Sequence, residues 1–263
     1  MSKKRALRIA SYNINGINSR LPVLLRWLEE IRPDVVGLQE LKCTDEAFPA
    51  KDIEALGYSA IWHGQKSWNG VAILSRVGEP VETGRGLPGG PDDVQSRYIE
   101  AAVCGILIAN LYLPNGNPWP GPKFDYKLAW MDRLQAHARH LLDSGLPSML
   151  MGDFNVIPTE LDVYKPERWA KDALFSPQAR AKFAELVDQG WTDAIRKLHP
   201  GERIYTFWHY WRNSFQRDAG IRIDHFLLSP PLVKKLKAAG VDREPRGWEK
   251  TSDHAPTWVE LAV

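Results

Sequence analysis

Cysteine is scarce: the 263 residues hold only two, Cys43 and Cys104. Neither has metal-binding spacing, so a zinc module or a disulfide scaffold is excluded, and two free thiols in a reducing compartment are expected. Long apolar runs are also missing, each being broken by a polar residue or proline well before the ~18 that span a bilayer. Met1–Arg5 is followed by only a short strand-like apolar run, not the roughly 7–15 apolar residues of a secretory signal, so a cytoplasmic protein away from the membrane is expected. Nor does one sign of charge dominate: 34 Lys and Arg face 32 Asp and Glu, for a net charge of +2. Taken alone, that balance argues against a chain that coats itself in nucleic acid or anionic lipid. No low-complexity linker divides the chain. What is present is an ordinary globular composition, 44% apolar and 25% charged, which excludes disorder as the main state. Tryptophan is the exception: eleven are present, and since Trp is rarely fully buried, several must serve a surface.

The hydrophobic pattern opens β-α-β. Leu7–Asn13 reads as a strand, and Leu21–Ile31 as a helix with Leu24, Leu25, Leu28 and Ile31 on one face. Pro33-Asp34 stops that helix before a buried strand, Val35–Gln39. Strand-like runs follow at Ser59–His63, Val71–Ser75, Tyr98–Cys104 and Ile106–Leu113, then a helix near Lys123–Ser144. The second half gives a strand at Ser148–Met151, helices near Pro177–Gln189 and Thr192–Leu198, and strands at Tyr205–Trp211 and Ile221–Leu228. A helix at Pro230–Ala239 and a last strand at Pro256–Leu261 complete it. The expectation is a single α/β domain over 1–263, with outer helices around two packed sheets.

Most strands end on an acid or amide that strand propensity does not ask for. Asn13 ends the first and Glu40 follows the second. Tyr112 ends a third, and Asp153 and Asn155 follow a fourth. Asp224 interrupts the apolar run Ile221–Leu228, and Asp253-His254 precede the last strand. A carboxylate in an apolar strand costs several kcal/mol unless it is paired or holds a metal. One such residue is an ordinary cap or turn; several at strand ends can converge on one edge, where ligands of α/β folds collect. Acids and amides without a Cys or His cluster suit a hard cation, Mg²⁺ or Mn²⁺. One His beside them suggests metal-assisted hydrolysis of a phosphate ester. Blander readings stand beside these: Tyr112 as a packed strand-end ring, and Asp224 as the salt-bridge partner of Arg222. His225 faces away from Asp224's side of the strand and is read as structural. His137 and His140 share a helix face at i, i+3, but no acid joins them in sequence, so a solvated face is expected.

The segments SYNINGI, PDVVGLQELK, HGQKSWNGVAILS, NLYLPNG, GDFNV, YTFWHYW, GIRIDHFLLS and SDHAP run from Ser11 almost to Trp258. In this order they resemble the exonuclease III family of apurinic/apyrimidinic endonucleases. GDFN and SDH are shared by a wider superfamily; the LQE-x-K, HGQK, TFW and RIDHFLLS pieces are specific. The resemblance implies a four-layer α/β sandwich, two facing mixed sheets with helices outside. It implies a Mg²⁺-dependent hydrolase (Mn²⁺ also suits) that cuts 5′ to abasic sites in duplex DNA and trims 3′ ends. A monomer is expected.

Residue by residue, the resemblance makes Glu40 the main metal-ligating carboxylate. Asn13 and Asp253 complete that site, with Asp153, Asn155 and His254 at its border. Asp153 would orient or deprotonate the attacking water, with His254 as the alternative base; one metal or two are both compatible. Tyr112 would donate to the phosphate or stabilise it as phenolate. Asp224 would hold His254 in one tautomer. Lys42 and Asn115 match phosphate-contacting positions, and Phe207 matches a ring that walls the pocket for an extruded abasic sugar. Trp211 stands near the lesion where relatives carry Met or Arg. Arg196, Lys197, Arg203, Arg212, Arg217 and Arg222 form a candidate phosphate track. The segment 162–180 departs from the better-known relatives, and no role is transferred to it.

Overall fold

The computed structural model describes residues 6–262. The strands are β1 (Ala6–Asn13), β2 (Val35–Gln39), β3 (Ser59–His63), β4 (Val71–Ser75), β5 (Val81–Arg85) and β6 (Tyr98–Val103). They continue with β7 (Ile106–Tyr112), β8 (Ser148–Asp153), β9 (Thr192–Asp193), β10 (Asp224–Leu228), β11 (Leu236–Val241) and β12 (Thr257–Ala262). The helices are α1 (Leu21–Ile31), α2 (Ala50–Glu54), α3 (Pro122–Asp143), α4 (Pro177–Asp188), α5 (Ala194–Leu198) and α6 (Pro230–Val233).

These strands form two six-stranded sheets, in the orders β11-β12-β1-β2-β4-β3 and β5-β6-β7-β8-β10-β9. Each is antiparallel except for one central parallel pair, β1 with β2 and β7 with β8. Parallel neighbours need a crossover, and α1 and α3 lie in those two connections. The central strands are apolar on both faces. Ile9, Val35, Ile73, Ile108, Met149, Phe226 and Val259 turn inward and fill the space between the sheets. Their neighbours one residue away turn outward: Ala10, Val36 and Leu74 meet Leu24, Trp27 and Leu28 of α1. On the far side Ala109, Leu111 and Leu150 meet Trp130, Met131 and Leu134 of α3 and Phe183 of α4. The layers are therefore helix, sheet, sheet, helix, as the motifs imply.

One polar bridge crosses the inter-sheet core. Asn110 Nδ2 donates to Leu38 O and Ala72 O of the other sheet, both at 2.9 Å, and Gln39 Nε2 donates to Asn110 Oδ1 at 2.6 Å. Gly37 makes room for it: a Cβ there would lie 2.7 Å from Asn110 Oδ1 and 2.6 Å from Met151 Cε.

Four expected elements differ. Tyr205–Trp211 is not a strand; only Phe207 makes bridges, to Ile221 and His254. Its other backbone groups go elsewhere: Trp208 N donates to Asp253 O, and Trp208 O accepts from Arg246. Ile221 is engaged by Phe207, so the next strand begins only at Asp224. The expected helix Pro230–Ala239 stops at Val233, and Leu236–Val241 becomes an edge strand on β12. Thr192-Asp193 pairs with β10, and Asp193 then caps α5 through Arg196 N. The edge strand β5 was not foreseen, because its residues Val-Glu-Thr-Gly-Arg lie mostly exposed and show no apolar alternation.

Candidate active site

Strand register assembles the site. Asn13 pairs with Gln39, which places Asn13 beside the start of the Glu40 loop. On the second sheet Asp153 is flanked by Tyr112 on one side and Asp224 on the other. The sheets then face each other, and the two half-sites meet. Asn13 Nδ2 donates to Glu40 Oε1 at 3.3 Å and, across the gap, to Asp153 Oδ2 at 2.9 Å. Tyr112 OH, from the second sheet, donates to Glu40 Oε1 at 2.5 Å. Gly152 is required here: its φ is +137°, and a Cβ would lie 2.0 Å from Leu111 O.

Several loop residues hold left-handed backbone, with φ of 50° at Asn15, 53° at Glu40, 54° at Lys42 and 47° at Asn155. Asparagine tolerates this region, whereas glutamate and lysine are strained there, and such strain gathers at functional sites. Glu40 is held by Gly16 N on its carbonyl at 2.7 Å, and Lys42 N donates to Asn69 O at 2.9 Å.

The charges are unevenly satisfied. Burial pushes the Glu40 carboxyl up, but Lys42, at 2.7 Å from Oε2, and the Tyr112 hydroxyl bring it below the usual range. Asp153 is pushed up to about 7 by burial and by the charges of Asp224 and Glu40, with His254 opposing them. Burial works against a charged His254, but Asp224 Oδ2 at 2.8 Å and the Asp153 charge outweigh it and raise the imidazole to about 10. His254 Nε2 lies 3.8 Å from Asp153 Oδ2. The pair is thus an imidazolium beside a carboxylate whose proton affinity suits neutral pH. Burial, with Glu40 and Asp153 nearby, raises Tyr112 well above 10, which favours its phenol form, the form that donates to Glu40.

The acids exceed the cations at this edge, and that excess fits a bound metal. The donors are hard oxygens, and Asn13 Nδ2 bonds both Glu40 and Asp153, which places their oxygens close together. Among the described residues no three His, Cys, Asp or Glu side chains form a metal-holding group. Asp253 accepts from Asn15 Nδ2 at 2.9 Å, at the border of this group. His254, at the border of the group, has Nδ1 against Asp224 Oδ2 at 2.8 Å and Nε2 toward Asp153. Asn155 is fixed at the same border: its amide donates to Leu113 O and accepts from Asn115 Nδ2, while its N–H fixes Asp153 Oδ1 at 2.8 Å.

The cavity at this candidate site, about 250 Å³, is lined by Glu40, Tyr112, Asn115, Asp153, Asn155, Phe207, Asp253 and His254. Phe207 stands edge-on to His254, with centroids 5.0 Å apart. Lys42 sits on the Glu40 side and also donates to Asn15 Oδ1 at 2.6 Å. Trp211 lies outside this cavity, 59% exposed. A groove of about 500 Å³ opens from the Tyr112–Asn117 edge past Trp68, Arg97 and Lys123.

Sequence reasoning missed Asn117, Trp169, Asp172, Leu174 and His209, all in the cavity wall. Trp169 and Asp172 come from the segment given no role, and nothing local reveals where that loop lands. Lys127 had a legible signal: it lies on the apolar stripe of α3 between Phe124 and Met131, where a hydrophobe belongs. It is fully buried and donates to Asn155 O at 2.5 Å and Asn115 O at 3.1 Å. The basic track shrinks. Arg222 is 1% exposed and bonded to Asp162 and Asp193, so Asp224 is free for His254. Arg196 also joins Asp162, and Arg203 donates to Val163 O. His137 is not on a solvated face; its Nε2 lies 2.9 Å from Glu100. His225 is buried against Val156 O, a structural role. Cys43 and Cys104 are free.

Fold and site together define a phosphoesterase of the α/β sandwich class. Residues 10–254 match the endonuclease/exonuclease/phosphatase family, and the chain belongs to it. Within it, the chain is 37% identical to exodeoxyribonuclease III of Haemophilus influenzae, over 97% of this chain and 100% of that one. An AP endonuclease from Archaeoglobus fulgidus superposes with a TM-score of 0.94 at 37% identity, covering 98% of this chain and 100% of that one. A 3′ phosphatase from Neisseria, bound to a product DNA hairpin, superposes at 0.93 with 40% identity, covering 97% and 99%. No described helix is long and apolar enough to cross a membrane.

Proposed function

We propose that the chain is a metal-dependent DNA-repair phosphodiesterase. It cuts the bond 5′ to an abasic site in duplex DNA, leaving a 3′-hydroxyl, and it removes nucleotides or blocking groups from 3′ ends. The relatives' activities (exodeoxyribonuclease, AP endonuclease, 3′ phosphatase) support that substrate class. The observation that carries the reading is the pairing of an Asp224-held imidazolium with Asp153 across a cavity walled by Phe207. We read the enzyme as a cytoplasmic monomer with one catalytic domain.

Glu40, aided by Asn13 and Asp253, would hold a hard divalent cation, Mg²⁺ or Mn²⁺, whose chemistry is to polarise a phosphoryl oxygen and offset its charge. His254 presents Nε2–H to the phosphate and stabilises the negative charge that grows there. Asp224 keeps that proton outward by accepting from Nδ1. Asp153 takes the proton of the attacking water; a base near neutral pKa is well matched to that task. The Asn155 N–H fixes Asp153 Oδ1 and Asn13 Nδ2 bonds Oδ2, whose remaining lone pair, on the His254 side, is the one we assign to the water. Tyr112 stays protonated and orients Glu40. Lys42 and Asn115 flank the scissile phosphate, and Phe207 packs on the extruded sugar, whose missing base lowers the cost of leaving the stack.

The test is a duplex with one internal abasic analogue. Purified protein with Mg²⁺ should nick it 5′ to the analogue, and EDTA should abolish nicking. No incision with metal, or equal incision in EDTA, rejects the reading.

A further inference from the structure

The catalytic cavity shares a wall with a second groove of about 270 Å³. Trp169, Asp172 and His209 line both. The wall is a stack of three rings. Trp169 lies parallel to His209 with centroids 5.9 Å apart, and His209 lies on Trp211 at 4.2 Å and 14°. Its inner end meets the catalytic residues, since His209 packs edge-on to Phe207 at 4.8 Å and Phe207 packs on His254 at 5.0 Å. Its outer end is open to solvent through Trp211.

Core packing accounts for only part of this stack: Trp169 packs against the cluster of Val163, Leu174 and Ile221, whereas Trp169 and His209 stay partly accessible and Trp211 is exposed. The stack is also held firm. Asp172 N donates to Trp169 O, and Asp172 Oδ1 accepts from Leu174 N and from Asn117 Nδ2. Arg168, Arg212 and Arg217 stand on the groove's rim. None of their guanidinium groups has a carboxylate partner among the described residues. Flat rings and free guanidinium donors together suit a nucleobase: its face stacks, and its carbonyl and ring-nitrogen edges accept.

We propose that this groove receives the base of a 3′-terminal nucleotide while its sugar occupies the catalytic cavity. This deepens the 3′-end reading above and rests on it. It makes Trp169 and Trp211 determinants of which 3′ ends are processed. A nucleotide that keeps its base gains the stack; an abasic one does not.

The experiment uses two duplexes that differ in one group, a recessed 3′ end with a terminal deoxynucleotide and the same end with a base-less sugar. Single-turnover kcat/KM is measured on both with Mg²⁺. Base stacking of the usual strength predicts that Trp169→Ala and Trp211→Ala each lower the base-bearing to base-less ratio about tenfold. Trp169→Phe, which keeps a ring, should hold the ratio within about threefold of wild type, since stacking tolerates any flat ring. A ratio unchanged in both alanine variants overturns the proposal. So does a wild-type enzyme that cleaves only the base-less end, for then the wall excludes a base. Cleavage of neither duplex, nor of the internal abasic duplex, rejects the underlying function instead.

Discussion

A lysine ammonium without water is costly unless its protons find acceptors. Burial pushes Lys127 down to about 7, with the charges of Asp153 and Asp172 opposing that fall. Its acceptors are the carbonyls of Asn155 and Asn115, the two loops that flank the reacting phosphate in our reading. Lys127→Met keeps the stem and removes the head. Stability should change little, because the relieved charge offsets the lost bonds. Turnover should fall at least about tenfold, since misplacements of about 1 Å at a catalytic loop cost that much or more. Wild-type turnover in this variant would show that the ammonium positions nothing. At Asp153 the expectation is stronger. Asp153→Asn removes the proton acceptor at nearly constant shape, so the rate should fall about 10²–10⁴-fold while abasic-DNA affinity persists. Loss of affinity with unchanged turnover would assign Asp153 to binding instead.

Among elements, the turn around residues 159–163 shows how a segment without regular structure is tied in. Asp162 caps that turn through Thr159 N and Oγ1, and it also receives Arg222 and Arg196. Burial raises this carboxyl, but Arg222 and Arg196 outweigh burial and bring it to about 2. A depressed carboxylate stabilises the fold above its unfolded pKa near 4, and that stability drains as pH falls toward 2. The amount at stake is about 2 kcal/mol. Asp162→Asn should destabilise by about 3–5 kcal/mol at pH 7, because Arg222 loses a buried partner. Denaturant unfolding of both proteins at pH 7 and pH 3 should show that gap narrowing in acid. An equal gap at both values would mean that Asp162 carries no buried charge.

The same scale shows what a sequence reveals. α1, β4 and β8 announce themselves because burial imposes an apolar period on every residue. β5 and β11 are edges whose outer residues answer to water, so β5 shows no pattern and the Leu-Lys-Ala run of β11 reads as a helix. The residues we read as catalytic stand out in the sequence as misfits at strand ends, and the family resemblance suggests their roles. Trp169 and Asp172 were not, since their place depends on where the ion-paired 159–163 turn anchors the loop that follows it. Arg222 was misread because a buried guanidinium and a DNA-facing one look alike in sequence.

For the molecule as a whole, a net charge of +2 understates what DNA would meet. Glu40, Asp153, Asp224 and Asp253 lie at the site, so their charge is not spread over the outer surface. The arginines divide likewise: Arg222 is spent internally, whereas Arg212 stands exposed on the groove rim. Affinity for duplex DNA should fall with salt, and Arg212→Ala should reduce the log–log slope by about 1, the usual worth of one phosphate contact. Arg222→Ala should leave that slope unchanged and lower the melting temperature. The opposite pattern would return Arg222 to the DNA surface.

The division of the site between two sheets has a further result for the newly made chain. Asn13 and Glu40 belong to the first sheet, and Tyr112 and Asp153 to the second. Asp253-His254 arrive only with β12, which inserts between β1 and β11, and Ser252 then closes on Asn13 O at 2.6 Å. A ribosome must therefore deliver the chain from Asn13 through His254 before the site is whole. A half-built chain that lacks Asp253 and His254 is without part of this site, so β12 acts as a safety catch on an enzyme that breaks DNA.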